Sequence, residues 1–234
     1  MTRPDGRKTD ELRPVEIKLG IQKDPAGSVQ ISFGDTVVLC AATIAEKVPD
    51  WLKKQNGQQG WITGEYAMLP GSTPGRASRR KRGRAEEIQR LIGRSLRAAV
   101  DLAQLGPRTI TVDCDVLQAD GGTRTASITG GYVAVELAIK KLIRDCKLNT
   151  SPIRRPVCAV SCAVVADQVV LDPNYIEDSQ AEVDMNFILT SGDKFIEVQG
   201  TAEGEPFDQQ MLSEMISLAK SGAKRLFEIQ QGIL

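Results

Sequence analysis

Gly121-Gly122-Thr123-Arg124-Thr125-Ala126-Ser127 joins two segments of different periodicity. Upstream, Thr109 to Val116 alternates β-branched and apolar residues as a strand does; downstream, Ile128 to Ile143 carries an apolar helical stripe. The glycine pair therefore falls at a strand-to-helix turn. The free N–H groups of a helix's first turn point outward there, and the helix dipole favours negative charge, so an oxyanion is stabilised. Arg124 adds a charged, two-pronged donor. The same residues also suit a plain turn, with Thr123 or Ser127 as the cap and the glycines kept for backbone freedom. Two familiar phosphate loops do not fit: no Gly-Lys-Ser/Thr follows, and the G-x-G-x-x-G spacing is absent.

A second arginine stands at a second helix start. Gly83-Arg84 precedes a stripe formed by Ile88, Leu91, Ile92, Leu96, Ala99 and Ala103. A cation at a helix N-terminus opposes the macrodipole, at a cost of about 0.3–1 kcal/mol, unless an anion lies between them. Two such arginines imply one shared anion; the alternative is an Arg84 that points into water.

Composition narrows the chemistry. The chain has 234 residues, 41% of them hydrophobic, which is ample for a core. No apolar run approaches a membrane span and Met1 to Arg13 is charged throughout, so a cytoplasmic protein is expected. Its five cysteines, at 40, 114, 146, 158 and 162, are read as reduced core residues. The absence of histidine excludes Ser-His and Cys-His nucleophile pairs and histidine-bound zinc or iron. Catalysis must then rest on carboxylates, arginines or a hard metal ion. Net charge is zero but segregated: Arg76 to Arg97 holds nine basic residues against Glu86 and Glu87, while Asp167 to Glu214 holds twelve acids against Lys194 alone. A polyanion handled with a divalent cation would use both poles.

The expected organisation is α+β, with strands grouped before helices rather than regularly alternating with them. A meander is expected at Val15 to Ile21, Ser28 to Phe33 and Thr36 to Ala45, turning at Gly34-Asp35. An irregular stretch runs from Pro49 to Arg82, with a short strand at Trp61 to Leu69 and a basic loop from Gly71 to Arg82. Val157 to Ala166 and Gln168 to Leu171 read as buried strands, Ala181 to Thr190 and Lys194 to Thr201 as a hairpin. A closing helix spans Asp208 to Gln231, with Met211, Met215, Leu218 and Leu226 laid on a sheet.

In the first arm of that hairpin the odd positions are apolar, and Glu182, Asp184 and Asn186 occupy the other face. Asp178 shares their parity. Hard oxygen ligands of this kind suit magnesium or manganese; equally, they suit the wet side of an edge hairpin.

A larger set of residues resembles the ribonuclease PH family along essentially the whole chain. It comprises Arg3-Pro4-Asp5-Gly6-Arg7, Leu12-Arg13-Pro14, Gly34-Asp35-Thr36, Glu87 to Arg94, the long block Asp113 to Ser127, Glu177-Asp178, Asp184-Met185-Asn186 and Glu197 to Thr201. The resemblance implies one ribonuclease PH-like catalytic domain over residues 1–234, with mixed sheets packed on amphipathic helices and subunits closing into a homohexameric ring, a trimer of dimers. It implies a phosphate-dependent 3′-5′ exoribonuclease that trims RNA 3′ ends, notably of precursor tRNA, releases nucleoside diphosphates and runs in reverse. Arg84, Gly122, Thr123 and Arg124 would hold inorganic phosphate, and Asp178 and Asp184 would serve Mg2+- or Mn2+-assisted chemistry. Arg76, Arg79, Arg80, Arg90 and Arg94 would face RNA. Apart from the resemblance, aromatics are only 4% of residues, which argues against a module built on aromatic stacking and leaves Trp61 and Tyr66 as the candidates for stacking on a terminal base. The chain departs from the family pattern at Gly71, where arginine is usual, at Ala85, where threonine is usual, in a shorter basic loop and in an early end to the C-terminal tail. A catalytically silent ring subunit that threads RNA, and an enzyme acting on small nucleotides, are the competing readings.

Overall fold

Alternating apolar residues in the first third of the chain pair as an antiparallel meander. In the computed structural model, which describes residues 3–54, 58–78 and 83–234, strands β1 (Val15–Leu19), β2 (Gly27–Phe33) and β3 (Thr36–Ala45) pair in chain order. β3 continues antiparallel to β5 (Thr109–Gln118), and β4 (Trp61–Met68) lies parallel to β5, giving the order β1-β2-β3-β5-β4. A parallel pair needs a crossover connection, and helix α2 (Gly83–Ala99) supplies it. α2 sits so close to β4 that a Cβ on Gly64 would lie 2.7 Å from Ile92 Cγ2. The strand expected at Trp61 to Leu69 thus forms as β4, and the stretch around it also contains a one-turn helix α1 (Asp50–Lys53), which the sequence reading did not foresee.

The second sheet is antiparallel throughout: β6 (Val157–Val165), β7 (Gln168–Leu171), β8 (Val183–Thr190) and β9 (Lys194–Ala202) in the order β7-β6-β8-β9. Helix α4 (Thr123–Arg144) packs against β2 and β3 of the first sheet and β6 of the second, where the Ala159 N–H donates to Thr129 Oγ1 at 3.1 Å. Helix α6 (Gln209–Ile233) covers β6 from its other side, and the Cys158 and Cys162 thiols meet the carbonyls of Ala223 and Met215. Every residue of β6 is therefore buried, which is why it reads as a nearly continuous apolar run, broken only by Ser161, instead of an alternating one. The Gln230 amide donates to Thr129 O at 3.1 Å and Val157 O at 3.0 Å, joining α4, β6 and α6. One apolar cluster links Ile31 and Val112 through Ile128 and Val133 to Phe187 and Leu226.

Three expectations need correcting. α2 stops at Ala99 because Val100 bridges to Ile153 and the Asp101 carboxylate accepts from the N–H groups of Ala103 and Gln104; Ala103 belongs to a separate turn, α3 (Leu102–Leu105), and is exposed. Cys146 is exposed just past the end of α4, whereas the other four cysteines are buried. The hairpin arm bearing Asp184 is no wet edge, since β8 lies between β6 and β9 and only Asp184 in it escapes full burial.

Candidate active site

The turn into α4 is built to leave its amides free. Gly121 and Gly122 have φ of 74° and 65°, the left-handed region that favours glycine, and added Cβ atoms would lie 2.7 Å from Pro173 O and 2.9 Å from Arg13 Nη2. Among the described residues no side chain caps the helix. The Thr125 hydroxyl donates back to Gly122 O at 2.8 Å and the Ser127 hydroxyl to Thr123 O at 2.7 Å, so the plain capped turn is not what forms. The N–H groups of Thr123, Arg124 and Thr125, in the first turn, have no intrahelical partner, an arrangement that suits an anion. Thr123 Oγ1 shares a 2.8 Å hydrogen bond with the Tyr66 hydroxyl. Tyr66 is 4% exposed and unable to stack on a base, and the Arg97 guanidinium lies 4.2 Å from the centre of the Trp61 ring.

Around this helix start the fold gathers the predicted residues. A polar pocket of about 50 Å³ is lined by Arg84, Gly122, Thr123, Arg124, Ser161, Asp178, Asp184 and Asn186. It adjoins a cleft of about 590 Å³ that shares Arg84, Gly122, Thr123 and Asp178 and adds Met68, Tyr175 and the Thr73-Pro74-Gly75 loop. Arg84 arrives at the first turn of α2, Arg124 at the first turn of α4, and Asp184 on β8. Asp178 does not extend β8 as its parity suggested. It ends a one-turn helix, α5 (Tyr175–Asp178), whose Asn174 and Glu177 form a reciprocal capping box. Among the described residues neither Arg84 nor Arg124 has a carboxylate at ion-pair distance.

Electrostatics in the pocket demand positive charge. Burial, and then the neighbouring Asp178, push the Asp184 carboxyl up to about 6 against the opposing pull of Arg124 and Arg84. Burial likewise raises Asp178, opposed by the same two arginines. A proton or a cation between the acids relieves this. Two carboxylates, the Asn186 amide and the Ser161 hydroxyl form a hard donor set, and that hydroxyl is buried without a hydrogen-bond partner among the described residues. Such a set suits magnesium or manganese, which keep waters and substrate oxygens in their shell. Among the described residues no three His, Cys, Asp or Glu side chains cluster as a closed metal cage would; Asp178 and Asp184 would hold the ion with substrate completing its shell.

The raised carboxyl has a consequence for stability. Its folded value of about 6 exceeds the ordinary 3.8, so folding favours the protonated acid; the contribution of this one group to stability is fully present below 3.8 and is lost as pH rises through about 6. Asp184→Asn is therefore expected to raise the metal-free melting temperature at neutral pH, with the gain shrinking in acid. Thermal melts across that range check it, and a variant less stable than wild type at neutral pH would contradict the assignment.

Other predicted residues lie elsewhere. Arg76 is exposed beside the cleft loop, whereas Arg90 and Arg94 line a separate groove of about 370 Å³ with Trp61 and Arg97. Arg94 is bound to Glu197 at 2.6 and 2.9 Å. Arg79 and Arg80 lie outside the described residues. Glu182 precedes β8, is exposed and stays out of the pocket. Sequence reasoning missed Ser161, hidden in an otherwise apolar strand; its register opposite Asn186 brings it into the site.

Comparisons with known proteins agree over nearly the full length. Residues 11–140 match the model of the 3′ exoribonuclease family, domain 1, and residues 155–222 match domain 2. The structure is similar to that of rice (Oryza sativa) Rrp46, at 19% identity over 98% of both chains with a TM-score of 0.81. It is similar also to a chain of the Archaeoglobus fulgidus exosome with RNA bound to the active site, at 23% identity over 97% of this chain and 91% of that one, TM-score 0.81. An archaeal exosome core chain matches at 21% identity over 97% and 90%, TM-score 0.75.

Proposed function

Because the chain belongs to the 3′ exoribonuclease family across both of its domains, we propose that it is a phosphate-dependent 3′-5′ exoribonuclease. One observation carries this: Arg84, Arg124, Asp178 and Asp184 line a single polar pocket at an uncapped helix start. A subunit that merely threads RNA has no use for that constellation. The wider cleft beside it, with the Tyr175 ring on its wall, receives the terminal nucleotide.

Inorganic phosphate is held by the two guanidinium groups and the α4 amides, which bring two anions together and offset the charge that grows on the phosphoryl oxygens. A phosphate oxygen attacks the phosphorus joining the last nucleotide to the chain, in line with the bond that breaks. The last nucleotide departs as a 5′-diphosphate, and the penultimate 3′-oxygen takes a proton. Asp184, with its carboxyl near 6, is suited to give that proton and to take it back in the reverse reaction. A bound magnesium or manganese ion would add charge neutralisation.

Precursor tRNA bearing a 3′ extension is the proposed substrate, and a homohexameric ring the proposed assembly. Incubating the protein with such an RNA and magnesium, with and without phosphate, is expected to yield nucleoside diphosphates only when phosphate is present. Monophosphates would mean hydrolysis instead, and RNA binding without any product would favour the silent ring subunit. Light scattering of the purified protein tests the ring.

A further inference from the structure

The Arg3–Arg7 and Leu12–Arg13 motifs line neither the pocket nor the cleft beside it, yet Arg3 and Arg13 are among the most buried charges of the described residues. Arg3 is 2% exposed and Arg13 4%. Arg3 forks onto Glu177, Nε to Oε1 at 2.6 Å and Nη2 to Oε2 at 2.8 Å, and donates to Asp172 O at 3.2 Å. Arg7 reaches the same Asp172 carbonyl at 3.1 Å. Arg13 donates Nε to Asp172 Oδ2 at 3.0 Å and Nη2 to Asp172 Oδ1 at 2.7 Å, while its Nη1 donates to Asp120 O. The Thr36 hydroxyl donates to Gly121 O at 2.6 Å and accepts from Asp120 N at 2.9 Å. Finally, the Tyr175 N–H donates to Asp120 Oδ1 at 3.1 Å.

Two ends of the pocket meet in this network. Asp120 and Gly121 lead into the anion-binding turn of α4; Asp172 and Glu177 flank and cap α5, whose last residue is Asp178. Ion pairs this buried add little net stability compared with apolar packing. What their forked geometry does supply is a defined distance between two segments far apart in the chain.

We propose that residues 3–13 form a strap whose arginines, with Thr36, set the position of the phosphate turn relative to Asp178, so that Arg3, Arg13 and Thr36 are positioning residues of the reaction. This rests on the phosphorolytic reading above. The strap has two separable ends. Thr36→Val, nearly isosteric, frees the turn and should raise KM for phosphate roughly 10-fold, the size of effect typical of groups that orient a site's ligands, with kcat little changed. Arg3→Lys keeps the charge, loses the fork on Glu177 and should lower kcat by a similar factor with KM for phosphate held. Arg13→Lys should do both.

Hydrogen–deuterium exchange needs no activity and separates failure of the strap from failure of the enzyme assignment. In Arg13→Lys, peptides covering residues 119–126 and 172–180 should lose protection together, with the exchange of β2 and α6 retained. If wild type shortens no RNA, the assigned reaction is wrong, yet the exchange result still decides the strap. Loosening of one segment alone, loosening spread over the whole chain, or wild-type exchange in that variant would each overturn the proposal. So would three variants whose KM and kcat match wild type.

Discussion

Asp184→Asn should reduce phosphate-dependent shortening of RNA by about 10³-fold, within the roughly 10²- to 10⁴-fold range for losing a positioned acid or base, while leaving RNA attachment nearly intact. The substitution keeps size and hydrogen-bonding capacity on β8, so the loss comes from chemistry and not from packing. A carboxyl raised to about 6 by burial and by Asp178 is stabilised by either a proton or a cation, and asparagine can bind neither well. Single-turnover assays at saturating RNA give the rate, and filter binding gives the attachment. The competing roles of Asp184 are separable: if it chiefly holds the ion, Mn2+ affinity followed by electron paramagnetic resonance falls in the variant, whereas a proton donor leaves it largely unchanged. Turnover like that of wild type would remove Asp184 from the reaction altogether.

Removing either guanidinium should be nearly as damaging. Arg124→Ala takes away the charged donor at the first turn of α4 and leaves phosphate held by amides and Arg84; Arg84→Ala does the reverse. Loss of a preorganised donor to developing charge costs on the order of 10²- to 10³-fold in rate, and here a rise in KM for phosphate should accompany it. Lysine is expected to rescue poorly at either position, because a point charge cannot present two parallel N–H groups to one oxyanion. Phosphate titrations of initial rate separate the two parameters. An unchanged phosphate dependence in Arg84→Ala would place that exposed side chain in solvent, outside the anion site.

Much of the fold was legible because burial on one face of an element leaves a period in the chain. The meander of β1 to β3, the β8–β9 hairpin and the stripe of α2 each match their alternation or helical spacing within a few residues. Both β4 and β6 were expected as strands, but finer detail was harder to read where the period fails. β6 is buried along its whole length and shows no period, so its Ser161 gave no sign of facing a pocket, and in the edge strand β4 Gly64 stands where a larger apolar residue would have completed the alternation. The end of α2 was misplaced because Ala103 sits at helical spacing while the Asp101 cap and the Val100 bridge act on the backbone.

By itself, the sequence determined the classes of chemistry open to this protein. Without histidine, and with arginines at two helix starts and acids on a strand, it pointed to an anion and a hard cation, because those properties belong to residue types and to local spacing. Only tertiary structure decided that the four groups share one pocket, since Arg84 and Asp184 are a hundred positions apart and their meeting depends on α4 being clasped between two sheets. It alone also revealed why the first arginines are buried: a guanidinium leaves water only where carboxylates and carbonyls from distant segments replace its hydration, and no local pattern records such partners.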